Sequence, residues 1–346
     1  MTDYPIIIQD NALAVLGEKI ALRKGRQVMV LVDQHTAEVC YPLLEPHLPR
    51  HHVCEIRAGE VHKTLDTCKL IWEALTASAF DRNGIVLNLG GGVIGDMGGF
   101  VAATYKRGID FVQVPTTLLS QVDASVGGKL GVDFNDLKNH IGMFAQPQGV
   151  YIYPGFLDTL SERELRSGFA EVIKHHLIAD LARWKQLRHQ KELRQMDFAE
   201  LIRHSVDVKQ RIVDSDPKER GARKALNFGH TVGHAVESFL LRSEAPLLHG
   251  EAIAVGMAAE TWISYKRGLL QGAEMDEILA YLFDHYGKAE LPQEKFKMIA
   301  RLARNDKKNE GDQILCTLLS AIGSFEVNQA ISEEEIVDAL EFYSEA

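Results

Sequence analysis

Two histidines in the second half of the chain are spaced so that they could hold a metal ion. His230 and His234 are four residues apart, so a helix would place both on one face, and Gly233 beside them leaves room. A lone histidine on an apolar face is usually a packed core residue. Two at this spacing with small neighbours favour a metal site and a packing role equally.

A carboxylate that could join them lies on another predicted helix. Gly168, Glu171, Lys174 and His175 share one helical stripe, flanked by apolar residues that leave little polar surface around it. A surface ion pair is the commoner interpretation of such a stripe. One carboxylate and two histidines would instead form a three-ligand site with an open position, typical of catalytic zinc. The residues alone do not decide which two histidines take part; the candidates are His175, His230, His234 and His249.

Several cations stand at unusual places in a chain that is acidic as a whole. Lys and Arg number 38 against 48 Asp and Glu, giving a formal net charge of −10, which disfavours nucleic-acid and membrane-surface roles. Cations beside glycine turns and histidine motifs therefore suggest an anionic substrate when taken together. They are Lys129, Lys138, Lys209, Arg223 and the Lys307–Lys308 pair.

A glycine-rich loop follows a predicted strand and precedes a helix predicted from Met97 to about Tyr105. Gly90, Gly92 and Gly95 fit the G-x-G-x-x-G spacing that lets a pyrophosphate approach backbone amides. We therefore predict a nucleotide phosphate here, against the alternative that the glycines serve only packing. Asp33, which ends an earlier strand, is a candidate for the ribose hydroxyls or, equally, a helix cap before Thr36.

The elements that must position these residues divide the chain in two. Up to about residue 150, consecutive apolar residues predict buried parallel strands at 6–8, 28–32, 85–89 and 111–114, with helices at 11–22 and 64–77 between them. This alternation predicts a doubly wound α/β domain. We place the boundary near Asp158, giving domains 1–158 and 159–346.

The second half has mostly helical periodicity. A capping-box pattern at 161–164 opens the first helix. The segment 252–259 is apolar nearly all round, which predicts a buried helix that begins near His249. The predicted helices cover about 161–182, 198–214, 228–241, 250–267, 273–286 and 332–344.

Composition agrees with a folded globular protein of more than one domain. The chain has 346 residues, 46% of them hydrophobic and 25% charged, which excludes disorder and coiled coil. Its four cysteines are scattered, which suits a reducing compartment and argues against a thiolate metal site. Neither a signal peptide nor an apolar stretch of about 18 residues is evident, so we predict a cytoplasmic protein.

In combination, six segments of the sequence resemble the 3-dehydroquinate synthases, a family of sugar phosphate cyclases. The matches are GGGVIGDMGGFVAATYKRG (90–108), QVPTTLLSQVDASVGGKLGVD (113–133), Lys138-Asn139, GFAEVIKH (168–175), LNFGHTVGHAVE (226–237) and LLHGEAIAVGM (247–257). The resemblance implies an α/β Rossmann-like N-terminal domain that binds NAD and an all-α C-terminal domain with a divalent metal, zinc or cobalt. It implies Glu171, His230 and His249 as the metal ligands and moves His234 to the substrate, so pairing His230 with His234 would be half wrong.

The resemblance also implies the remaining site residues. The cofactor positions are Asp33, Glu60, Lys63, Gly91, Gly92, Asp96, Thr116 and Thr117, with Asp123, Lys129 and Lys138 shared with the substrate. The other catalytic and substrate positions are Asn139, Lys174, Lys209, Arg223, Asn227, His234 and one of Lys307 and Lys308. Arg107 matches an arginine that reaches the substrate phosphate from the partner subunit of a homodimer.

The activity that the resemblance implies is a phosphate-eliminating cyclisation in the shikimate pathway of aromatic amino acid biosynthesis. The substrate, 3-deoxy-D-arabino-heptulosonate 7-phosphate, would pass through transient NAD oxidation, phosphate elimination, re-reduction and intramolecular aldol closure to 3-dehydroquinate. A sister cyclase of the 2-deoxy-scyllo-inosose or valiolone synthase type is one alternative. A metal-dependent polyol dehydrogenase is another.

Overall fold

The computed structural model describes residues 4–135, 137–216, 221–241, 243–305 and 313–346. Within them the chain forms two compact units. The first contains Met1–Ser161 with Phe198–Val206, and the second contains Glu162–Asp197 with Asp207–Ala346. The first unit thus takes in a short later segment, which the predicted domains 1–158 and 159–346 do not include.

The first unit is built on a parallel sheet of six strands. Its strands lie in the order β1-β8-β5-β4-β2-β3, and every pair is parallel. The sheet strands are β1 (Ile6–Ile8), β2 (Val28–Asp33), β3 (His52–Ile56), β4 (Ile85–Gly90), β5 (Asp110–Pro115) and β8 (Val150–Ile152). The helices are α1 (Ala12–Ala21), α2 (Gln34–Val39), α3 (Tyr41–Leu44), α4 (Leu65–Ala77) and α5 (Gly92–Thr104). Strands β6 (Lys129–Phe134) and β7 (Leu137–Phe144) form a separate antiparallel hairpin.

Alternate residues of the central strands pack into different cores on the two faces of this sheet. On β2, Met29 and Leu31 belong to one apolar cluster, whereas Val28, Val30 and Val32 belong to another. Side chains alternate across a strand, so a strand covered on both faces is apolar at nearly every position. The predicted doubly wound α/β fold is confirmed. The four predicted strands, β1, β2, β4 and β5, lie within one residue of their predicted bounds, whereas β3 and β8 were not predicted.

The second unit is mainly helical. Its helices are α6 (Glu162–Ala179), α7 (Leu181–Leu187), α9 (His230–Leu240), α10 (His249–Lys266), α11 (Gly272–Tyr286), α12 (Phe296–Leu302) and α13 (Glu333–Glu345). Helix α8 (Phe198–Ser215) begins among the residues of the first unit and ends among those of the second. Helix α10 is the central one: residues 252–260 are all buried, as predicted, and it packs against α6, α9, α11 and α13.

The prediction omitted several elements, among them β3, β8, the β6–β7 hairpin, α7 and α12, and two further details of it were wrong. The helical unit is not purely α, because β9 (Ile314–Ala321) and β10 (Ser324–Ile331) form an antiparallel hairpin. The sequence held a local signal for this hairpin. A glycine, Gly323, lies at the turn with φ 90°, and β10 alternates between exposed and partly buried residues. Helix α5 begins at Gly92, earlier than the predicted Met97, because the second half of the glycine loop is already helical.

Candidate active site

Backbone amides and hydroxyls gather at the carboxyl edge of the parallel sheet. Strands β2, β4 and β5 are neighbours, and Asp33, Gly91 and Thr116 stand at or directly after their ends. Gly91 is the N-cap of α5 and provides no side-chain cap. The Thr116 amide donates to the Gly90 carbonyl (3.1 Å). The carboxyl edge of such a sheet, with an uncapped helix N-terminus, is where nucleotide phosphates bind in α/β folds.

The glycines around this loop have two different uses. A Cβ on Gly98 would lie 2.0 Å from Asn88 Oδ1, and one on Gly99 would lie 2.4 Å from Leu130 Cδ2, so both allow α5 to pack closely. A Cβ on Gly92 would meet its nearest neighbour, Ala124 Cβ, at 3.6 Å, which is an ordinary contact. Close packing therefore explains why Gly98 and Gly99 are glycines, but it does not explain why Gly92 is one.

A buried lysine connects several of the predicted cofactor residues. Lys63 is 3% exposed, and its Nζ lies 2.6 Å from Asp96 Oδ2 and 2.5 Å from Asn139 Oδ1. Burial alone would lower the pKa of Lys63, but the carboxylates of Asp96 and Glu60 raise it above its ordinary value. Lys138 Nζ lies 3.9 Å from Glu60 Oε1. The structure thus brings Glu60, Lys63, Asp96, Lys138 and Asn139 into one polar network.

Asp33 fulfils one of its two predicted alternatives, the helix cap. It ends β2, and its Oδ1 accepts a hydrogen bond from the Thr36 amide (2.9 Å), which caps α2. The Thr36 hydroxyl oxygen in return accepts from the Asp33 amide (2.9 Å). The helix-cap interpretation is confirmed, and a contact between Asp33 and a ribose stays a prediction.

The second unit contains a carboxylate with two histidines around it. Glu171 Oε1 lies 3.5 Å from His230 Nε2 and 3.8 Å from His249 Nε2. One ligand atom from each of the three residues lies within 4.8 Å of the others, close enough to surround one metal ion. Glu171 is fully buried. A carboxylate and two imidazoles form a donor set suited to zinc or cobalt.

The electrostatics of this cluster favour a positive charge. Glu171 forms an ion pair with Lys174, which is 1% exposed, so the pair is buried and is not a solvated surface contact. Burial lowers the pKa of His249, yet hydrogen bonds with the Glu171 and Glu237 carboxylates outweigh it and raise the pKa to about 9. A bound divalent cation would take the place of the proton that these carboxylates attract.

Both histidines are oriented through their second ring nitrogen. His230 Nδ1 lies 3.1 Å from the Phe228 carbonyl oxygen, and His249 Nδ1 lies 3.3 Å from Glu237 Oε2. Each contact directs Nε2 toward Glu171, as second partners of metal-binding histidines do. His234, Glu237 and His249 also lie close enough to form a second cluster, and the His234 ring is 5.1 Å from that of His230.

Close helix packing places His249 beside Glu171. Gly250 is the second residue of α10, and its amide donates to Ser167 Oγ on α6 (3.1 Å). A Cβ at Gly250 would lie 1.8 Å from the Ser167 carbonyl oxygen, so only glycine fits. Helix α10 can therefore begin directly against the helix that carries Glu171.

The remaining predicted residues are distributed over both units. In the first unit, Thr117 accepts from Ser120 at the start of a short π-helix that contains Asp123, Lys129 opens β6, and Arg107 lies in a turn at φ 68°. In the second unit, Lys209 lies on α8, and Arg223 and Asn227 lie in a 3₁₀ helix (Ala222–Asn227) that contacts α6. Lys209 and Arg223 are buried. Lys307 and Lys308 lie outside the described residues.

Two residues that support the histidines, Glu237 and Glu260, were not predicted from the sequence. Glu237 follows His234 by three residues on α9, and this helical spacing could have indicated it. Glu260 is a fully buried acid at the end of the all-apolar stretch of α10. An acid in such a helix is a signal, because a buried carboxylate requires partners.

A doubly wound sheet with an open glycine loop and a helical unit with a buried carboxylate–histidine cluster define a class of enzymes that combine a nucleotide with a divalent metal. Comparisons with known proteins narrow this class. The family model of the 3-dehydroquinate synthase N-terminal domain matches residues 53–167, and that of the C-terminal domain matches residues 168–309. The chain belongs to the 3-dehydroquinate synthase family.

Curated relatives agree over nearly the full length. The 3-dehydroquinate synthase of Parabacteroides distasonis is 38% identical over 351 residues, covering 100% of this chain and 99% of the relative. That of Halorhodospira halophila is 40% identical over 349 residues, covering 97% and 96%. The resemblance found from the six segments is thereby confirmed.

Solved structures with the same fold include sister cyclases. ValA, the 2-epi-5-epi-valiolone synthase of Streptomyces hygroscopicus, was solved with NAD⁺ and Zn²⁺; it is 28% identical, with a TM-score of 0.89 and coverage of 100% and 98%. A 2-deoxy-scyllo-inosose synthase solved with carbaglucose-6-phosphate, NAD⁺ and Co²⁺ is 22% identical, with a TM-score of 0.86 and coverage of 97% and 95%. At 22% identity, the similarity to the 2-deoxy-scyllo-inosose synthase shows the fold alone. No helix in the described ranges is long and apolar enough to cross a membrane.

Proposed function

We propose that this chain is a 3-dehydroquinate synthase, which converts 3-deoxy-D-arabino-heptulosonate 7-phosphate to 3-dehydroquinate and phosphate. The observation that carries the proposal is the convergence of Glu171, His230 and His249 in a chain of this family. These three residues are the proposed metal ligands. The convergence matters because residues from three different helices meet with a donor set that suits a catalytic metal.

The proposed cofactors are NAD and a divalent cation, zinc or cobalt. The related ValA structure contains NAD⁺ and Zn²⁺, and a carboxylate with two imidazoles suits either metal. A bound NAD would supply reversible hydride transfer, and a bound cation would supply a Lewis acid for a substrate hydroxyl. The backbone at Gly91 and Gly92 would hold the pyrophosphate, and Thr116 and Thr117 would line the same edge of the sheet. Asp33, Glu60, Lys63 and Asp96 complete the proposed cofactor contacts.

The protein's own part in the reaction is to bind and orient an anionic sugar phosphate. Lys129, Lys138, Lys174, Lys209 and Arg223 are the proposed cations for its phosphate and carboxylate. In a chain with a formal net charge of −10, a local cluster of cations is needed to hold such an anion. Asp123, Asn139, Asn227 and His234, with one of Lys307 and Lys308, complete the proposed substrate contacts. Holding the substrate in one orientation lowers the entropic part of the barrier.

A homodimer and a cytoplasmic location also belong to this proposal. Arg107 is the proposed contribution of one subunit to the substrate phosphate of the other. Its backbone lies at φ 68° and that of Lys106 at φ 50°, in a turn just before β5. Such a turn is costly for residues other than glycine and is typical of functional positions.

The test of the function is phosphate release from heptulosonate phosphate by the purified protein with NAD and Zn²⁺. We expect stoichiometric phosphate and dehydroquinate, with no NADH accumulating at steady state because each turnover returns the hydride. A polyol dehydrogenase would accumulate NADH instead. Turnover of sedoheptulose 7-phosphate or glucose 6-phosphate without any phosphate release from heptulosonate phosphate would favour a sister cyclase.

The metal site is tested by Glu171→Ala and His249→Ala. We expect each variant to lose both bound metal and activity, because removing one of three protein ligands is severe. Metal content is measured by plasma emission after gel filtration. The control is His176→Ala, since His176 lies on α6 but binds the Val172 carbonyl through Nδ1. Stoichiometric zinc in Glu171→Ala or His249→Ala would contradict the assigned ligands.

A further inference from the structure

Helix α9 lacks a side-chain cap of its own at the end that carries a proposed metal ligand. Its N-cap is Gly229 at φ 78°, and His230 is its first residue. A Cβ at Gly229 would lie 2.5 Å from Met257 Cγ and 3.1 Å from the Ile253 carbonyl oxygen. The close approach of α10 therefore excludes a capping side chain at this position. The first amides of α9 need another acceptor.

Glu260 on α10 provides that acceptor. Its Oε2 accepts from the Gly229 amide (2.6 Å), and its Oε1 accepts from the amides of Thr231 (3.0 Å) and Val232 (3.1 Å). These are the N-cap, second and third positions of α9, the amides that a local capping box would satisfy. Glu260 is fully buried. A carboxylate at a helix N-terminus is also favoured by the helix dipole.

Helices α9 and α10 pack antiparallel. Near each end of their contact, a carboxylate on one helix supports the histidine on the other. Gly229 on α9 meets Gly256 on α10, where a Cβ would lie 1.9 Å from the Gly229 carbonyl oxygen. One turn further along α9, Gly233 meets Ala252 and Ile253. At the far end, Glu237 of α9 contacts His249 of α10. Each helix thus contributes a carboxylate to the end of the other that bears a histidine.

The capped turn also determines the orientation of His230. His230 Nδ1 contacts the carbonyl oxygen of Phe228, two residues earlier, so the ring is aligned by the backbone of residues 228–230. Glu260 holds the amides of Gly229 and Thr231, on both sides of His230. A change in this turn would swing Nε2 away from Glu171 Oε1, which lies 3.5 Å away.

We infer that Glu260 is a positioning residue for the metal site, which fixes the first turn of α9 so that His230 meets Glu171 and His249. The inference rests on the proposed metal ligands. Glu260 acts through the backbone and does not itself coordinate the metal. Its loss should therefore weaken and distort metal binding while the three ligands remain present.

The test uses Glu260→Gln in the full-length protein, because the amide keeps the size of the side chain but only one acceptor oxygen. We expect zinc affinity, measured by competition with a chromophoric chelator, to fall about 10- to 100-fold, as for other partners of metal ligands. The visible absorption of the Co²⁺-loaded protein should also change, since it reports ligand geometry. Neither readout requires catalytic activity.

The matched control is Glu274→Gln. Glu274 Oε1 accepts from the Ile322 amide (3.1 Å) and Oε2 from the Gln271 amide (3.4 Å), so it also binds backbone amides in the second unit. We expect it to lower the melting temperature and leave zinc affinity and the Co²⁺ spectrum unchanged. This control separates a loss of stability from a loss of metal geometry.

The outcomes distinguish the positioning role from the function on which it rests. If Glu260→Gln lowers stability but keeps wild-type zinc affinity and Co²⁺ spectrum, the positioning role is overturned and the metal site stands. If Glu260→Gln does not fold, Glu260→Asp, which keeps the charge on a shorter side chain, is measured by the same two readouts with the same criteria. If the wild-type protein binds no metal, or Glu171→Ala and His249→Ala bind it normally, both proposals fail together.

Discussion

At the scale of single residues, the buried charged side chains of this protein are stabilised by the residues that they contact. Lys63 is the example in the first unit, because its buried ammonium contacts both Asp96 and Asn139. A buried charge is tolerated when it is paired and hydrogen-bonded. The sequence identified these residues as candidate site residues only through the family resemblance. Their contact could not be read from the sequence, because Lys63 and Asn139 are 76 positions apart.

Replacing Lys63 with methionine should both destabilise the protein and weaken NAD binding. Methionine retains much of the side-chain volume but removes the buried ammonium that contacts Asp96 and Asn139, so we expect a loss of about 3 kcal/mol in the free energy of unfolding. Urea unfolding and NAD titration by calorimetry measure the two effects. The control is Lys69→Met, whose ion pair with Glu73 is exposed at both partners and should contribute about 0 to 1 kcal/mol. Equal effects of the two substitutions would contradict the prediction.

At the scale of elements, the second unit depends on helices that approach each other without intervening side chains. Gly250 allows α10 to begin against α6, and Gly229, Gly233 and Gly256 allow α9 and α10 to cross closely. The sequence predicted both helices, and it predicted correctly that α10 is buried. It did not show which faces meet, because apolar periodicity identifies a buried face without identifying its partner.

Replacing Gly256 with alanine should separate α9 from α10. The added Cβ would lie 1.9 Å from the Gly229 carbonyl oxygen and 2.6 Å from the Gly233 amide nitrogen, and both are backbone atoms that cannot rotate away. We expect a cost of about 1 to 3 kcal/mol or more, with weaker zinc binding because His230 moves with α9.

Thermal unfolding and chelator competition measure the two consequences of Gly256→Ala. The control is Gly272→Ala at the start of α11, where the nearest atom to the new Cβ is Tyr265 Cε2 at 3.4 Å. Alanine is favoured in helices, so this control should be neutral or stabilising by about 0.5 to 1 kcal/mol. A Gly256→Ala protein with wild-type stability would show that the helices can move apart at no cost.

At the scale of the whole molecule, folding buries several cysteine thiols and tyrosine hydroxyls in their neutral form. Burial raises the pKa of the Cys40 thiol from 9.0 to about 12, with a further contribution from the charge of Asp33. Burial likewise raises that of Cys68 to about 12 and raises the pKa of Tyr281. The unfolded chain ionises these groups at lower pH than the folded protein does, so alkali favours unfolding.

The protein should therefore lose stability progressively above pH 9. Each raised pKa contributes stability that is fully present below the unfolded value of 9.0 and is lost as pH rises toward the folded value of about 12. Lys63 acts in the same direction, since its pKa is also raised. Urea midpoints measured at several pH values between about 8 and 11 report the effect, and Cys40→Ala with Cys68→Ala should flatten the curve. A constant or rising stability would contradict the prediction.

The sequence by itself determined the α/β and helical halves, four strands of the parallel sheet within one residue, and, through resemblance, the family. These features follow from the local order of apolar residues and from motifs of a few adjacent residues, so they can be predicted from the sequence. The tertiary structure decided which distant residues meet: Glu171 with His230 and His249, Lys63 with Asn139, and Glu260 with the first amides of α9. The hairpin β9–β10 and the early start of α5 were not predicted, although the alternation along β10 was a local signal for the hairpin. Contacts between helices depend on the path of the whole backbone, and no local pattern encodes that path.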